Sequence, residues 1–237
     1  MKDDKMGLHA PINGIFFDAG WTLFYPKSKN WLFPDDIINP HSFAKIPGGK
    51  RNGAIQRAFK YLDDNHLILT EEEEAEQFTV FYSMISADLP ELAITKQTID
   101  ALIHAQIHGT AECLFDDTVS TLQALQGKYK LGVISDNWPS LERRLKNSGI
   151  DTYFSTMTIS SYLGTFKPDK RMYLHALEQM NLPPEQTVFI DDGVENLGGA
   201  AQCGIQPVLI TAKPDAERSE KYPNIGKLPE LLEILPE

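Results

Sequence analysis

Five residues at the edges of apolar runs carry types suited to phosphate chemistry: Asp18, Ser135, Lys167, Asp191 and Asp192. A carboxylate that must approach an anionic substrate is repelled by it, and a hard divalent cation held by carboxylates cancels that repulsion. Asp18, Asp191 and Asp192 can together bind one Mg²⁺. Ser135, with the backbone N–H groups of the Ser135-Asp136-Asn137 turn, can hold phosphoryl oxygens, and Lys167 can offset charge on both carboxylate and phosphate. Each residue also has a plainer reading. Asp18 or Ser135 can cap a loop or helix, Lys167 can be a surface lysine, and Asp191-Asp192-Gly193 can be an ordinary turn. Adjacent acids at the end of an apolar strand are costly without a cation, so the last pair weighs most towards a site.

Residues 12–17, INGIFF, read as a short buried strand that stops at Asp18-Ala19-Gly20. From Leu114 onward strand and helix alternate. Strands are expected over 130–134, 156–159, 187–190 and 206–210. Helices are expected over 116–129 (Val119, Leu122 and Leu125 inward), 139–148, 168–180 (Met172, Leu174, Leu177 and Met180 inward), 196–202 and 228–234. That alternation implies an α/β fold, a Rossmann-like parallel sheet with right-handed crossovers. Asp18, Ser135, Lys167 and the Asp191-Asp192 pair then fall at or beyond its carboxyl ends, where such sheets bind ligands. Between 26 and 113 the pattern differs: a polar, proline-rich stretch is followed by helical patterns over 52–64, from Thr70, and after Pro90 to His108. Residues 26–113 therefore read as a helical cap inserted into a core made of 1–25 plus 114–237. The glutamate run Glu71–Glu74 reads as a solvated helix start behind a Thr70 capping box.

The chain has 237 residues, 42% hydrophobic and 23% charged, enough to bury a core without disulfides. Its formal charge of −11 argues against nucleic acid or an anionic membrane as partner. Cys113 and Cys203 form no metal or disulfide framework and read as two buried apolar thiols in a reduced, cytoplasmic setting. The opening MKDDKMGLHAP lacks an apolar run of signal length, and no stretch is long enough to span a bilayer. Oligomeric state leaves no mark in the sequence.

FFDAGWTL, VISDNW, GTFKPD and VFIDDGVENLGGA resemble, in order, the four motifs of the haloacid dehalogenase superfamily, in the branch with a helical cap between the first and second. The resemblance runs over essentially the whole chain. It implies Mg²⁺, a mobile cap and an aspartyl-phosphate intermediate, with small phosphorylated metabolites as substrates. It assigns Asp18 as nucleophile and metal ligand, Ser135 as phosphoryl-binding, Lys167 as the charge-balancing lysine, and Asp191 and Asp192 as metal ligands. One departure bears on activity. Phosphatases of the family have a second aspartate two residues after the nucleophile as general acid and base, and here that position is Gly20. Its C=O can still bind metal but carries no proton. General acid–base help is worth typically ~10²–10⁴-fold, so hydrolysis is expected to be weak or restricted to good leaving groups such as acyl or aryl phosphates.

Two other readings follow from Gly20. A non-catalytic protein could keep the phosphate pocket for ligand binding or regulation. A cleaver of haloacids or phosphonates needs no such acid; the Asp191-Asp192 pair argues against the first, and for the second Lys45 and Lys50 are candidate Schiff-base lysines by location alone. Leu197 also departs from the aspartate that many relatives carry there. Cap residues facing the site are expected from 25–51, including Trp31, His41, Lys45 and Arg51, with Trp21 narrowing the entrance; core packing is the alternative for the aromatics. His9, His66, His104, His108 and His175 show no metal-ligand spacing beyond the single helical turn between His104 and His108.

Overall fold

The computed structural model describes residues 7–28 and 30–236. The first six residues of the opening segment read above for a signal lie outside them. In chain order the elements are β1 (Gly14–Phe17), β2 (Phe24–Pro26), α1 (Pro40–Ala44), α2 (Gly48–Asp64), α3 (Glu71–Asp88), α4 (Lys96–His108), β3 (Glu112–Leu114), α5 (Thr118–Leu125), β4 (Lys130–Ser135), α6 (Ser140–Asn147), β5 (Thr156–Ile159), α7 (Ser160–Leu163), α8 (Lys170–Met180), β6 (Thr187–Asp191), α9 (Val194–Gln202), β7 (Gln206–Ile210), β8 (Asn224–Ile225) and α10 (Leu231–Ile234).

Six strands pair in parallel in the order β5-β4-β1-β6-β7-β8, giving the Rossmann-like α/β core expected from the alternation. A parallel sheet is covered on both faces, so its strands must be apolar at successive positions. In β1, Ile15 and Phe17 join one core with Val133, Ile190, Leu122 and Leu141, while Phe16 faces the other with Phe189, Tyr173 and Leu197. The register pairs Phe17 with Val133 and with Ile190. The residues that follow, Asp18 and Asp191, therefore emerge side by side, and the Asp18 N–H donates to Ile190 O at 2.9 Å. On the outer layer, α9 lies against the loop that carries Lys167. A Cβ built on Gly199 would sit 2.7 Å from Pro168 O, so only glycine permits this approach.

Residues 40–108 pack α1 to α4 around a separate core that includes Ala58, Leu62, Phe78, Phe81, Tyr82, Ile85 and Leu102. The chain enters and leaves this helical unit through an antiparallel ribbon, β2 against β3, with Tyr25 opposite Cys113. Buried polar groups cross to the sheet unit. Glu74, fully buried on α3, accepts from Ser140 N–H at 2.9 Å and from Ser140 Oγ at 2.7 Å, capping α6 from across the interface. Gln77 Oε1 accepts from Trp138 Nε1 at 2.6 Å. Replacing Glu74 by Ala leaves both Ser140 donors unpaired, and the melting midpoint should fall by the equivalent of about 1–3 kcal/mol; an unchanged midpoint in thermal denaturation would contradict the contact's role.

His66, 3% exposed, pairs through Nε2 with Ser160 Oγ at 2.7 Å and stacks on Phe166. Burial pushes its pKa down to about 4 from 6.5. The unfolded chain thus binds a proton below 6.5 that the folded chain refuses until about 4, so His66 costs stability as pH falls through that window. A His66→Gln variant should show a shallower loss of stability between pH 6.5 and 4 than the parent in urea titrations.

Several sequence expectations are corrected. The second helix begins at Gly48, not Asn52, because Pro47 sits just before its first turn, where it is tolerated, and Ala54, Ala58 and Leu62 anchor the helix. The expected 116–129 helix ends at Leu125, since Gly127 turns the chain with φ 80°, and Val119 faces outward at 37% exposure. Leu174 is likewise exposed on α8. The helix expected over 228–234 is a 3₁₀ turn followed by one α-turn. Cys113 and Cys203 are half-buried, not buried. Among the described residues no helix is long and apolar enough to cross a membrane.

Candidate active site

Asp18 leaves β1 into a tight turn. Ala19 O accepts from Leu23 N–H and Phe24 N–H, both at 2.9 Å, and Trp21 N–H donates to Phe24 O at 2.7 Å. These bonds fix the carboxylate at the sheet's edge, where the side chain is 11% exposed. Lys167 Nζ donates to Asp18 Oδ1 at 2.8 Å and to Asp191 Oδ2 at 2.7 Å, with Ile134 O at 3.4 Å. The ammonium therefore bridges two strand ends. Asp191 is in turn held by Gly193 N–H at 2.6 Å and by Asn196 Nδ2 at 3.0 and 3.2 Å. Asn196, at the start of α9, orients Asp191 and went unassigned from the sequence, although it lies in the fourth motif.

The electrostatics are those of surplus buried negative charge. Burial works to lower the Lys167 pKa, but Asp18, Asp191 and Asp136 outweigh it and raise it, so the lysine stays charged. Burial raises the Asp18 pKa, with Lys167 opposing and Asp191 adding to the rise. Asp192 is pushed up to about 7 by burial, then by Asp18 and Asp191. Asp18, Asp191 and Asp192 each offer a carboxylate oxygen within 4.8 Å of the others. One ammonium against this group leaves charge for a cation, and an all-oxygen donor set suits a hard one such as Mg²⁺. The residues fit the metal the sequence motifs imply.

The second loop runs Ser135-Asp136-Asn137. Asp136 Oδ1 accepts from Lys167 N–H at 2.9 Å, and burial, against the pull of Lys167, lifts its pKa to about 6. Asn137 N–H donates to Ser160 Oγ at 2.8 Å, and its Nδ2 reaches Ser135 Oγ at 3.4 Å. Asn137 Oδ1 accepts from Arg144 Nη2, which fixes the amide with its NH₂ end towards Ser135. Arg144 also pairs with Glu112 at 2.8 Å, both side chains nearly buried. Sequence reading missed Arg144 and Glu112 because nothing in their spacing signals a pair between α6 and β3.

All of Asp18, Gly20, Ser135, Asp136, Asn137, Lys167 and Asp192 line one cavity of about 630 Å³, with Asp191 fully buried beneath them. Its far walls come from the helical unit and the first turn. Trp21 and Trp31 both line it, each half-buried, and Trp31 also packs against the core of the sheet unit. Trp21 has φ 56°, the left-handed region where a bulky side chain is strained by roughly 1–2 kcal/mol. Gly20 is not in that region, and a Cβ built on it would make an ordinary contact with Trp31 at 3.6 Å. His41, Lys45, Lys50 and Arg51 do not line the cavity: Arg51 bonds Phe43 O and Lys50 pairs with Glu91. The stretch instead turns Trp31, Leu32 and Phe33 inward. His104 and His108 stack at 4.3 Å, and among the described residues no third ligand joins them.

Comparison with known proteins supports this reading of the fold. A family model for haloacid dehalogenase-like hydrolases matches residues 38–204, which take in Ser135, Lys167, Asp191 and Asp192. The GMP/IMP nucleotidase YrfG of Escherichia coli (strain K12) is 31% identical over 115 residues, 48% of this chain and 52% of the nucleotidase. The chain spans about half the length of the curated relatives it matches. Among solved structures, a phosphatase from Thermococcus onnurineus superposes with TM-score 0.65 at 21% identity, covering 94% of this chain and 98% of that one. The L-2-haloacid dehalogenase from Xanthobacter autotrophicus with chloropropionic acid covalently bound gives 0.64 at 15%, covering 95% and 98%. At such identities the superpositions establish the fold alone.

Proposed function

This chain belongs to the haloacid dehalogenase-like hydrolases, and from that premise we propose that it is a Mg²⁺-dependent hydrolase of small phosphorylated metabolites, working through an aspartyl-phosphate. The observation that carries the reading is the Lys167 bridge between Asp18 and Asp191, with Asp192 within ligand distance, at the carboxyl edge of a parallel sheet. Asp18, Asp191, Asp192 and the Gly20 C=O would hold the metal. When bound, Mg²⁺ supplies the charge that lets a carboxylate and a phosphate meet and keeps Asp18 ionised.

The chain's own residues account for the rest. A free Asp18 oxygen attacks phosphorus while Lys167 holds the other by hydrogen bond. Ser135 Oγ, with the N–H groups of its turn, takes phosphoryl oxygens, and Asn137 steadies Ser135. The leaving oxygen departs with its electron pair. Gly20 offers no proton, so the oxygen takes one from water, and a second water hydrolyses the acyl phosphate to return Asp18. In this proposal residues 26–113 act as a cap over the core of 1–25 plus 114–237. Purified protein with Mg²⁺ should release phosphate from an ester panel, and Asp18→Asn should lower the rate by at least ~10³-fold; an active Asp18→Asn would remove Asp18 from the nucleophile's role.

Gly20 favours two other readings. If halide is released from haloacids and phosphate esters are inert, carbon–halogen cleavage replaces the proposal; release of an aldehyde from phosphonates would need a Schiff-base lysine, and neither Lys45 nor Lys50 lines the cavity. If phosphate ligands bind and nothing turns over, the site is a sensor.

A further inference from the structure

We propose that Trp21 and Trp31 form an apolar wall beside the nucleophile that selects phosphate monoesters whose leaving group is a planar aromatic ring; this rests on the phosphohydrolase reading of the site. Trp21 occupies the left-handed conformation, φ 56°, which glycine adopts freely and a bulky residue does not. Such a residue persists only where the surroundings fix it and commonly marks a functional position. The surroundings here are the hydrogen bonds that close the Asp18 turn. Core packing does not explain it, because the indole is half-buried on the cavity wall.

Its partner is fixed independently. Trp31 stands edge-on to Trp21, with ring centroids 6.1 Å apart and planes at 84°. The segment that carries it is pinned by Asn30 Oδ1, which accepts from Leu32 N–H at 3.0 Å, and by Leu32 O, which accepts from Tyr82 Oη–H at 2.9 Å. Phe59, 40% exposed, adds a third apolar surface from α2. Gly20 brings the Trp31 indole up to the turn that carries the nucleophile, since a Cβ built there would touch the Trp31 ring at 3.6 Å.

The chemistry of the leaving group agrees with the shape. The new bond joins an Asp18 oxygen to phosphorus, and the phosphorus–oxygen bond to the ring breaks with its electron pair on the phenolate oxygen. A phenolate is a weak base that needs no proton in the transition state and takes one from water afterwards. Water then cleaves the acyl phosphate to give inorganic phosphate and the Asp18 carboxylate. An alkoxide leaving group would need the acid that position 20 does not hold. Stacking on the ring supplies binding energy away from phosphorus.

The test uses the full chain with Mg²⁺ and four probes: phenyl phosphate, benzyl phosphate, acetyl phosphate and inosine 5′-monophosphate. Phenyl phosphate should exceed benzyl phosphate in kcat/KM by about 10²-fold or more, since both carry the ring and only one has a good leaving group. The phenyl-to-acetyl ratio should fall by about tenfold or more in Trp21→Gly and in Trp31→Leu, chiefly through KM, and recover in Trp21→Tyr. Glycine suits the left-handed position, and Trp31→Leu decides the matter should the first variant not fold. A ratio moving by less than about twofold in both variants overturns the aromatic wall, as does inosine monophosphate outpacing phenyl phosphate. Turnover of acetyl phosphate alone also overturns it while leaving the phosphohydrolase reading intact. No phosphate from any of the four overturns that reading as well.

Discussion

Lys167→Met is expected to destabilise the protein by about 3–5 kcal/mol and to abolish turnover. Breaking a buried ion pair by removing one partner leaves an uncompensated charge, which costs about that much. Here the single ammonium serves both Asp18 and Asp191, its side chain 2% exposed against 11% and 0%. Methionine fills much of the same volume, so packing is largely kept and the loss reports charge. Added Mg²⁺ should raise the melting midpoint of the variant more than that of the parent, because a cation binding the same carboxylates stabilises the folded state by mass action. A variant as stable as the parent, with or without Mg²⁺, would mean that the carboxylates are not a charged cluster.

Gly20→Asp should raise the rate on alkyl phosphates by roughly 10²–10⁴-fold, the worth of a positioned acid and base. The backbone permits the change: Gly20 is outside the left-handed region, and a Cβ there meets only the Trp31 ring at 3.6 Å. The gain should be much smaller for acyl and aryl phosphates, whose leaving groups depart unprotonated. Steady-state kinetics on a matched pair of esters would show it. An equal gain on both kinds of ester, or none on either in a well-folded variant, would remove the missing acid as the cause of restricted chemistry.

What the sequence made legible follows from how parallel sheets are built. A strand buried on both faces must be apolar, so the polar residue that ends it is conspicuous. Asp18 after Phe17, Ser135 after Ile134 and Asp191 after Ile190 were readable for that reason, and the register then brings Asp18 and Asp191 together. Trp21 was readable as a residue near the entrance but not as a strained one, since φ is a property of the closed turn and not of the residue type. Arg144 was hidden because its role depends on a side chain reaching from α6 to Glu112 on β3 and to Asn137. Polar residues of the 25–51 stretch were misplaced because proximity in sequence does not fix direction: Trp31 turns in, while Lys50 turns out to Glu91. Amphipathic patterns erred at Val119 and Leu174, each apolar at helical spacing yet exposed, because burial depends on which neighbour the helix meets.

The most direct test of the account is to quench the protein in acid during turnover of phenyl phosphate with Mg²⁺ and to locate any covalent phosphoryl group by peptide mass spectrometry. The account predicts one phosphoryl group on the peptide containing Asp18, absent without Mg²⁺ and absent in Asp18→Asn. Phosphoryl transfer to a different residue, or sustained turnover by Asp18→Asn, would contradict it.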